Sequence, residues 1–287
     1  MYKGVIIMKE KNELLNINHV KPPKQPGLEY QTENYTSIIL RMNKHCQKSD
    51  ALFSQFTVTD PCTFELLPDG CCSMLFNCNG DEQDSHMIGI LTQKHKIQLQ
   101  KNSDYFGVKF YSTFGIKNWK LEPTSLVDNV ESVPNSIYSK GLARGLGKCT
   151  NFPARIRFLK KFYQQHWLDE AYRPGPVEQC ALLICASEGT ISGRELARRI
   201  GYSSRYIRDL FEKVYGISPK QYSMLKRYHN ALHLLFDESH PSSYIASDVG
   251  YYDQTHFIKE FESFTKMSPL AYVHMVCNQK KHDHLTQ

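Results

Sequence analysis

The sequence predicts an α+β protein, with a strand-rich first half, one connecting helix and an all-helical last third. Three observations carry this reading. Residues 28–115 hold short apolar runs cut by tight-turn residues such as Pro68-Asp69-Gly70 and Asn77-Cys78-Asn79-Gly80-Asp81. At Pro153 the apolar spacing changes to three and four. After residue 190 a helical pattern occurs twice.

Taken in order, Thr36–Leu40, Cys62–Leu67, Ser73–Phe76, Met87–Leu91, Lys96–Leu99 and Tyr105–Tyr111 read as strands. Their number and spacing suggest a sandwich or small barrel. Residues 116–152 read as irregular, with Pro123, Pro134, Gly141, Gly145 and Gly147. A helix from Pro153 to Glu170 places Ile156, Leu159, Tyr163 and Trp167 on one face and leaves Arg155, Arg157, Lys160 and Lys161 for the surface. Arg173-Pro174-Gly175-Pro176 ends it, and Pro176 suits the first turn of the next helix. The divisions are a strand-rich domain over 1–152, a linker helix over 153–171 and a helical domain over 172–287.

Composition narrows the function classes. The chain has 287 residues, 41% hydrophobic, with a formal net charge of +6, which fits a folded protein with a polyanion partner. The apolar run near the N-terminus is four residues, too short for a signal peptide, and no stretch reaches the ~18 residues of a membrane helix. Nine cysteines without paired Cys-x-x-Cys units argue against a disulfide framework. These features point to a soluble cytoplasmic protein.

The repeat carries the functional reading. Leu196-Ala197-Arg198-Arg199-Ile200-Gly201-Tyr202 corresponds to Ile245-Ala246-Ser247-Asp248-Val249-Gly250-Tyr251, and Phe211 to Pro219 corresponds to Phe261 to Pro269. The small alanine lets a second helix cross closely, and the glycine permits the positive φ of a tight turn. Ser203 and Asp253 then cap the second helix of each copy. Ile207, Leu210 and Phe211 face the core of the first unit, and Phe257 and Phe261 that of the second. Ser218-Pro219 and Ser268-Pro269 open the helices that follow. The pattern predicts two helix-turn-helix units.

From about Glu178 to Val276 the chain resembles the DNA-binding domain of the AraC/XylS transcription regulators. The resemblance rests on Ile191–Ala197, on Arg227 and Ala231 in the connecting helix, on Ile245–Phe257 and Phe261, and on Ser268-Pro269. Lys266 departs from it, standing where the family usually has glycine. More weakly, the first domain resembles the family's cupin-like sensory barrels, through Pro68-Asp69-Gly70, Gly107–Phe110 and Leu121…Asp128.

The resemblance implies a ligand-responsive regulator, in the common case an activator, that is not an enzyme, holds no metal or cofactor, and works as a homodimer on double-stranded DNA. It implies an unidentified small-molecule effector and RNA polymerase as further partners. It also implies that the second helix of each unit lies in the major groove. Base readout would fall to Arg205, Arg208 and Asp209 in the first unit and to Gln254, Thr255, Ile258 and Lys259 in the second. Ser204, Lys213, Lys220 and Lys226 would meet phosphate, which positions without specifying. The helix starting at Pro219 would set the two readers in successive grooves, about 34 Å apart. Charge is divided unequally: residues 192–230 carry nine Lys/Arg against three acids, and residues 231–276 carry two against six. The first unit is therefore expected to dominate phosphate binding, leaving Asp237, Glu238, Glu260 and Glu262 for a basic partner. Ile156, Leu159, Tyr163 and Trp167 would form the dimer seam or else pack on the chain's own strands.

Two other readings stay open. Cys71, Cys72 and Cys78, beside the Pro-Asp-Gly turn, would serve a thiol- or metal-responsive regulator. A cupin-type enzyme fused to a DNA-binding module would need a His-x-His pair with a carboxylate, and His45, His86 and His95 lack that spacing.

Overall fold

The computed structural model describes residues 24–42, 50–60, 62–79, 84–111, 127–133, 141–168, 175–237, 240 and 242–285. The domain boundary expected near residue 172 lies outside them. Short helix α1 (Pro26–Gln31) precedes eight strands: β1 (Glu33–Arg41), β2 (Asp50–Val58), β3 (Cys62–Leu66), β4 (Cys72–Asn77), β5 (His86–Ile88), β6 (His95–Leu99), β7 (Ser103–Phe110) and β8 (Val130–Ser132). Six form an antiparallel sheet in the order β1-β2-β7-β4-β5-β8, and β3 pairs with β6. Among the described residues the strands make two sheets rather than one closed barrel.

The large sheet is covered on both faces, which is why its strands read as continuous apolar runs rather than clean alternation. Along β7, Tyr105 faces the small sheet and packs with Phe56, Phe64, Leu75 and Ile97. Phe106, Val108 and Phe110 point the other way, with Phe53, Met74 and Phe76. That second face is closed by α2 (Leu142–Gly147), α3 (Phe152–Phe162) and a π-helical turn, Tyr163–Trp167.

The proposed dimer seam is corrected here. Ile156, Leu159, Tyr163 and Trp167 are buried in this chain's own core, with Leu159 fully enclosed. Side chains already desolvated within one chain have no surface left to offer a second copy. Arg155 is also buried rather than on the surface: its Nη1 donates to Gln55 Oε1 at 2.7 Å, with Asp104 at 3.8 Å.

The last third is helical: α4 (Pro176–Ala186), α5 (Gly193–Ile200), α6 (Ser204–Tyr215), α7 (Pro219–Leu235), α8 (Ile245–Asp248), α9 (Gln254–Thr265) and α10 (Pro269–Leu285). Its core is continuous with the first domain, because Leu67, Cys72 and Ile90 join the cluster built on Tyr222, Tyr228 and Phe211. No described helix is long and apolar enough to cross a membrane.

Candidate nucleic-acid interface

Each unit is built as a short helix, a left-handed turn and a longer capped helix. In the first, Gly201 turns at φ 80° and Ser203 Oγ accepts the Tyr206 amide at 3.2 Å. In the second, Gly250 turns at φ 76° and Asp253 Oδ1 accepts the His256 amide at 2.7 Å. These caps satisfy backbone donors that a helix start otherwise leaves unpaired. Ile207, Phe211 and Tyr215 bury one face of α6, and Phe257, Phe261 and Phe264 do the same for α9. Their outer faces are thereby fixed toward solvent. Lys266 ends α9 at φ 60°, and its amide reaches Glu262 O at 2.8 Å, the same bond that Gly216 makes to Glu212 in α6.

Among the expected base readers, Arg205, Arg208, Asp209, Gln254, Thr255 and Lys259 are exposed and Ile258 is half-buried. Asp209 lies 3.8 Å from Arg205 and 3.6 Å from Arg208. Pairs this exposed contribute little to stability, so both guanidinium groups remain available. Ser204, Lys213 and Lys220 are exposed as well. Tyr202 and Tyr206, not anticipated from the sequence, stack at 5.0 Å on this surface, and Tyr252 is 93% exposed on the second unit. The repeat hid this difference: Tyr202 aligns with Tyr251, which is buried, because the second copy has one more residue in its turn.

Lys226 departs from expectation. Its ammonium donates to the Asp69 carbonyl at 3.0 Å, lies 3.9 Å from Cys71 Sγ and sits over the Tyr222 ring at 4.8 Å. It is held by the first domain and turned away from phosphate. One turn along α7, His229 Nε2 donates to the Pro68 carbonyl at 2.7 Å. The Pro68–Cys71 turn thus docks on the Tyr222, Lys226 and His229 face of α7. Gly70 makes this approach possible: its φ is +66°, and a Cβ there would sit 3.2 Å from Tyr222 and 3.3 Å from Lys226. Behind the turn, Asp69 pairs with Lys109 and accepts the Cys71 amide at 2.9 Å. Burial alone would push the Asp69 carboxyl up, but Lys109 and the other nearby donors hold it below the usual carboxylate range.

A second buried pair joins the two units. Arg227 Nη2 donates to Glu260 Oε2 at 2.8 Å and to Oε1 at 3.1 Å, and the guanidinium lies 4.6 Å from the centre of the Tyr251 ring. Glu260 is therefore not among the exposed acids, because its side chain is consumed in holding α9 to α7. Glu238 lies outside the described residues, while Asp237 and Glu262 are exposed. On α5, Glu195 receives hydrogen bonds from Arg198 and Arg199, which pull its carboxyl down to about 2.

The cysteines do not converge. Cys72 belongs to the core of the helical domain, Cys78 to the face under α3, and Cys71 faces Lys226. Burial pushes Cys71 and Cys72 up to about 12 and Cys78 to about 11, which disfavours the reactive thiolate. Among the described residues no three His, Cys, Asp or Glu side chains gather as a metal site. His86 lies 3.3 Å from Asp84, His95 is on β6 and His45 lies outside the described residues.

Residues 196–275 match the family model described as a helix-turn-helix domain, and residues 51–132 match a domain of unknown function. No curated protein matches the chain in sequence. Among solved structures, apo ToxT from Vibrio cholerae is similar at 10% identity and TM-score 0.47, over 79% of this chain and 97% of that one. The same protein with an unsaturated fatty acid gives 11% identity and TM-score 0.43, over 81% and 98%. The DNA-binding domain of AdpA, a global transcriptional factor in complex with a target DNA, gives 22% identity and TM-score 0.32, over 34% and 90%. With two capped units joined by one helix and a matching family model across both, the last third of this chain is an AraC-type helix-turn-helix domain, the DNA-binding part of a transcription regulator.

Proposed function

We propose that the chain reads two successive major grooves with α6 and α9 and that its first domain governs this reading in response to a small molecule. The observation that carries the DNA reading is the pair of capped helices, each buried on one face and polar on the other, bound to a single 17-residue helix. At ~1.5 Å per residue that helix spans about 25 Å. Arg205 and Arg208 suit guanine, Asp209 cytosine, Gln254 adenine and Ile258 a thymine methyl, with Thr255 and Lys259 beside them on α9. Ser204, Lys213 and Lys220 are left as the phosphate contacts.

The sensing reading is supported by a cavity between the two sheets. It is about 40 Å³ and is lined by Phe56, Leu75, Val108, Ser73, Asp69 and Lys109. That volume admits ordered water but not a metabolite, so an effector would have to part the sheets. Asp69, in the turn that grips α7, and its partner Lys109 on β7 both line this cavity, so parting the sheets strains the contact between the domains. Exposed acids on the second unit, Glu262 among them, leave room for a basic surface of RNA polymerase.

The test is selection of binding sites from random duplex DNA, followed by Arg205→Ala and Arg208→Ala on the selected site. Each should cost about 1–3 kcal/mol and relax preference at one position. If both variants keep the wild-type preference, α6 is not the reader.

A further inference from the structure

Residues 141–168 contain six Lys or Arg (Arg144, Lys148, Arg155, Arg157, Lys160 and Lys161) and no Asp or Glu. Arg155 is buried and paired inside the domain. The other five lie on the outer side of α2 and α3: Arg144, Lys148, Arg157 and Lys161 are exposed and Lys160 is half-buried. Arg144 and Lys148 are four apart around α2, and Arg157 and Lys161 four apart on α3, so each pair shares one helix face. The two helices are locked together where the Phe158 ring rests against Gly145, a place where any side chain would collide. Opposite this face, α3 is anchored by Leu159 and Ile156. The surface is therefore rigid and turned outward.

Basic residues in a last helical turn complement the helix dipole, and that accounts for Lys160 and Lys161. It does not account for Arg157 in the middle of α3. Nor does it explain why no described carboxylate lies within ion-pair distance of Lys148, Arg157, Lys160 or Lys161. Charges held this close repel one another, and a surface that keeps them unbalanced is suited to a polyanion.

We propose that the α2–α3 face is a second DNA contact, which grips the phosphate backbone beside the sequence that the helix-turn-helix units read. This rests on the DNA reading above. The duplex is favoured as occupant by charge complementarity and by tethering. A duplex carries one negative charge per ~1.7 Å of axis. Nine residues lead from Trp167 to Pro176, a reach of at most about 30 Å. Once α6 and α9 are seated, the basic face is confined near flanking DNA at high effective concentration. The contact contributes affinity without sequence information and lengthens the footprint on one side.

The experiment uses the full chain and labelled duplexes carrying the selected site, one just long enough for the two units and one extended by about 15 base pairs of random sequence on each side. Affinity is measured against salt for the wild type, for the triple variant Lys148→Gln, Arg157→Gln, Lys161→Gln, and for the charge-preserving variant Lys148→Arg, Arg157→Lys, Lys161→Arg. Each phosphate contact contributes about 0.9 to the slope of log affinity against log salt. The triple variant should therefore lose about 2–3 units of slope on the long duplex and much less on the short one, and the charge-preserving variant should keep the wild-type slope. Equal slopes for the triple variant and the wild type on the long duplex would overturn the proposal. So would a charge-preserving variant that loses as much slope, since the effect would then be structural. Arg205→Ala, run in parallel, separates the two readings. If it weakens binding while the triple variant does not, only the second contact fails; if the chain binds neither duplex, both fail.

Discussion

Acidification should loosen the junction between the two domains through one side chain, His229. This residue is 7% exposed, donates through Nε2 to the Pro68 carbonyl, and has its Nδ1 buried without a hydrogen-bond partner. A proton on Nδ1 would thus be a buried charge with no acceptor. Burial is the largest cause holding its pKa down at about 3; Asp69 opposes the shift, while His233, Lys226 and Lys109 add to it. In the unfolded chain the same imidazole takes its proton near 6.5. With the folded value depressed, the stability gained by keeping His229 neutral is fully present above about pH 6.5 and is lost as pH falls from there toward 3. At pH 5 the unfolded state is favoured over 1.5 pH units at ~1.36 kcal/mol each, about 2 kcal/mol. For a chain of 287 residues, whose unfolding entropy is about 0.6 kcal/mol/K, that is a drop in Tm of about 3–4 °C. His229→Gln keeps a donor for Pro68 and does not titrate. Thermal melts at pH 7.5 and pH 5 should therefore show a Tm loss larger by that amount in the wild type than in His229→Gln, with the other histidines common to both. Equal losses would mean that His229 already carries its proton in the folded chain, and the reasoning would be refuted.

Three further outcomes follow from the packing. Arg227→Ala strands the Glu260 carboxylate in the core and should cost about 3–5 kcal/mol by denaturant unfolding, part of which Glu260→Gln in the same chain should restore; no rescue would mean the loss comes from packing alone. Leu159→Ala removes a fully enclosed side chain under the large sheet and should cost about 2–5 kcal/mol, whereas a change confined to self-association would return Leu159 to a dimer seam. Lys266→Gly relieves a left-handed backbone at φ 60° and should stabilise the protein by about 0.5–1 kcal/mol, less glycine's own entropic cost; destabilisation would show that the bond from Lys266 Nζ to Ser263 O matters more than the strain.

The helical third was legible because its signals are local. Ser203, Asp253, Gly201 and Gly250 each act within a few residues, and each cap and turn lies where spacing placed it. The strands were legible in part. β2 escaped notice because Phe53, Phe56 and Val58 mix spacings of three and two, as befits a strand covered on both faces. β8 is only three residues, and α2 lies in a glycine-rich stretch that reads as loop. The amphipathic pattern of α3 identified the buried residues but not their partner, since burial against one's own sheet and against a second copy demand the same apolar stripe. Lys226 and Glu260 were misjudged for one reason. A charged side chain reads as surface unless its partner is known, and their partners lie 157 and 33 residues away.

Neighbouring residues of α7 serve opposite masters: Lys226 holds the Pro68–Cys71 turn and Arg227 holds Glu260 on α9. Successive residues of a helix are separated by about 100° and ~1.5 Å. A single residue inserted between these two would leave the turn seated on Tyr222 and Lys226, carry His229 off the Pro68 carbonyl, and swing the whole second unit by more than a quarter of a turn, taking α9 out of line with α6. Descendants of this chain can vary the spacing of the DNA they recognise only by rebuilding α7 as a unit, so operator geometry should drift far more slowly than operator sequence.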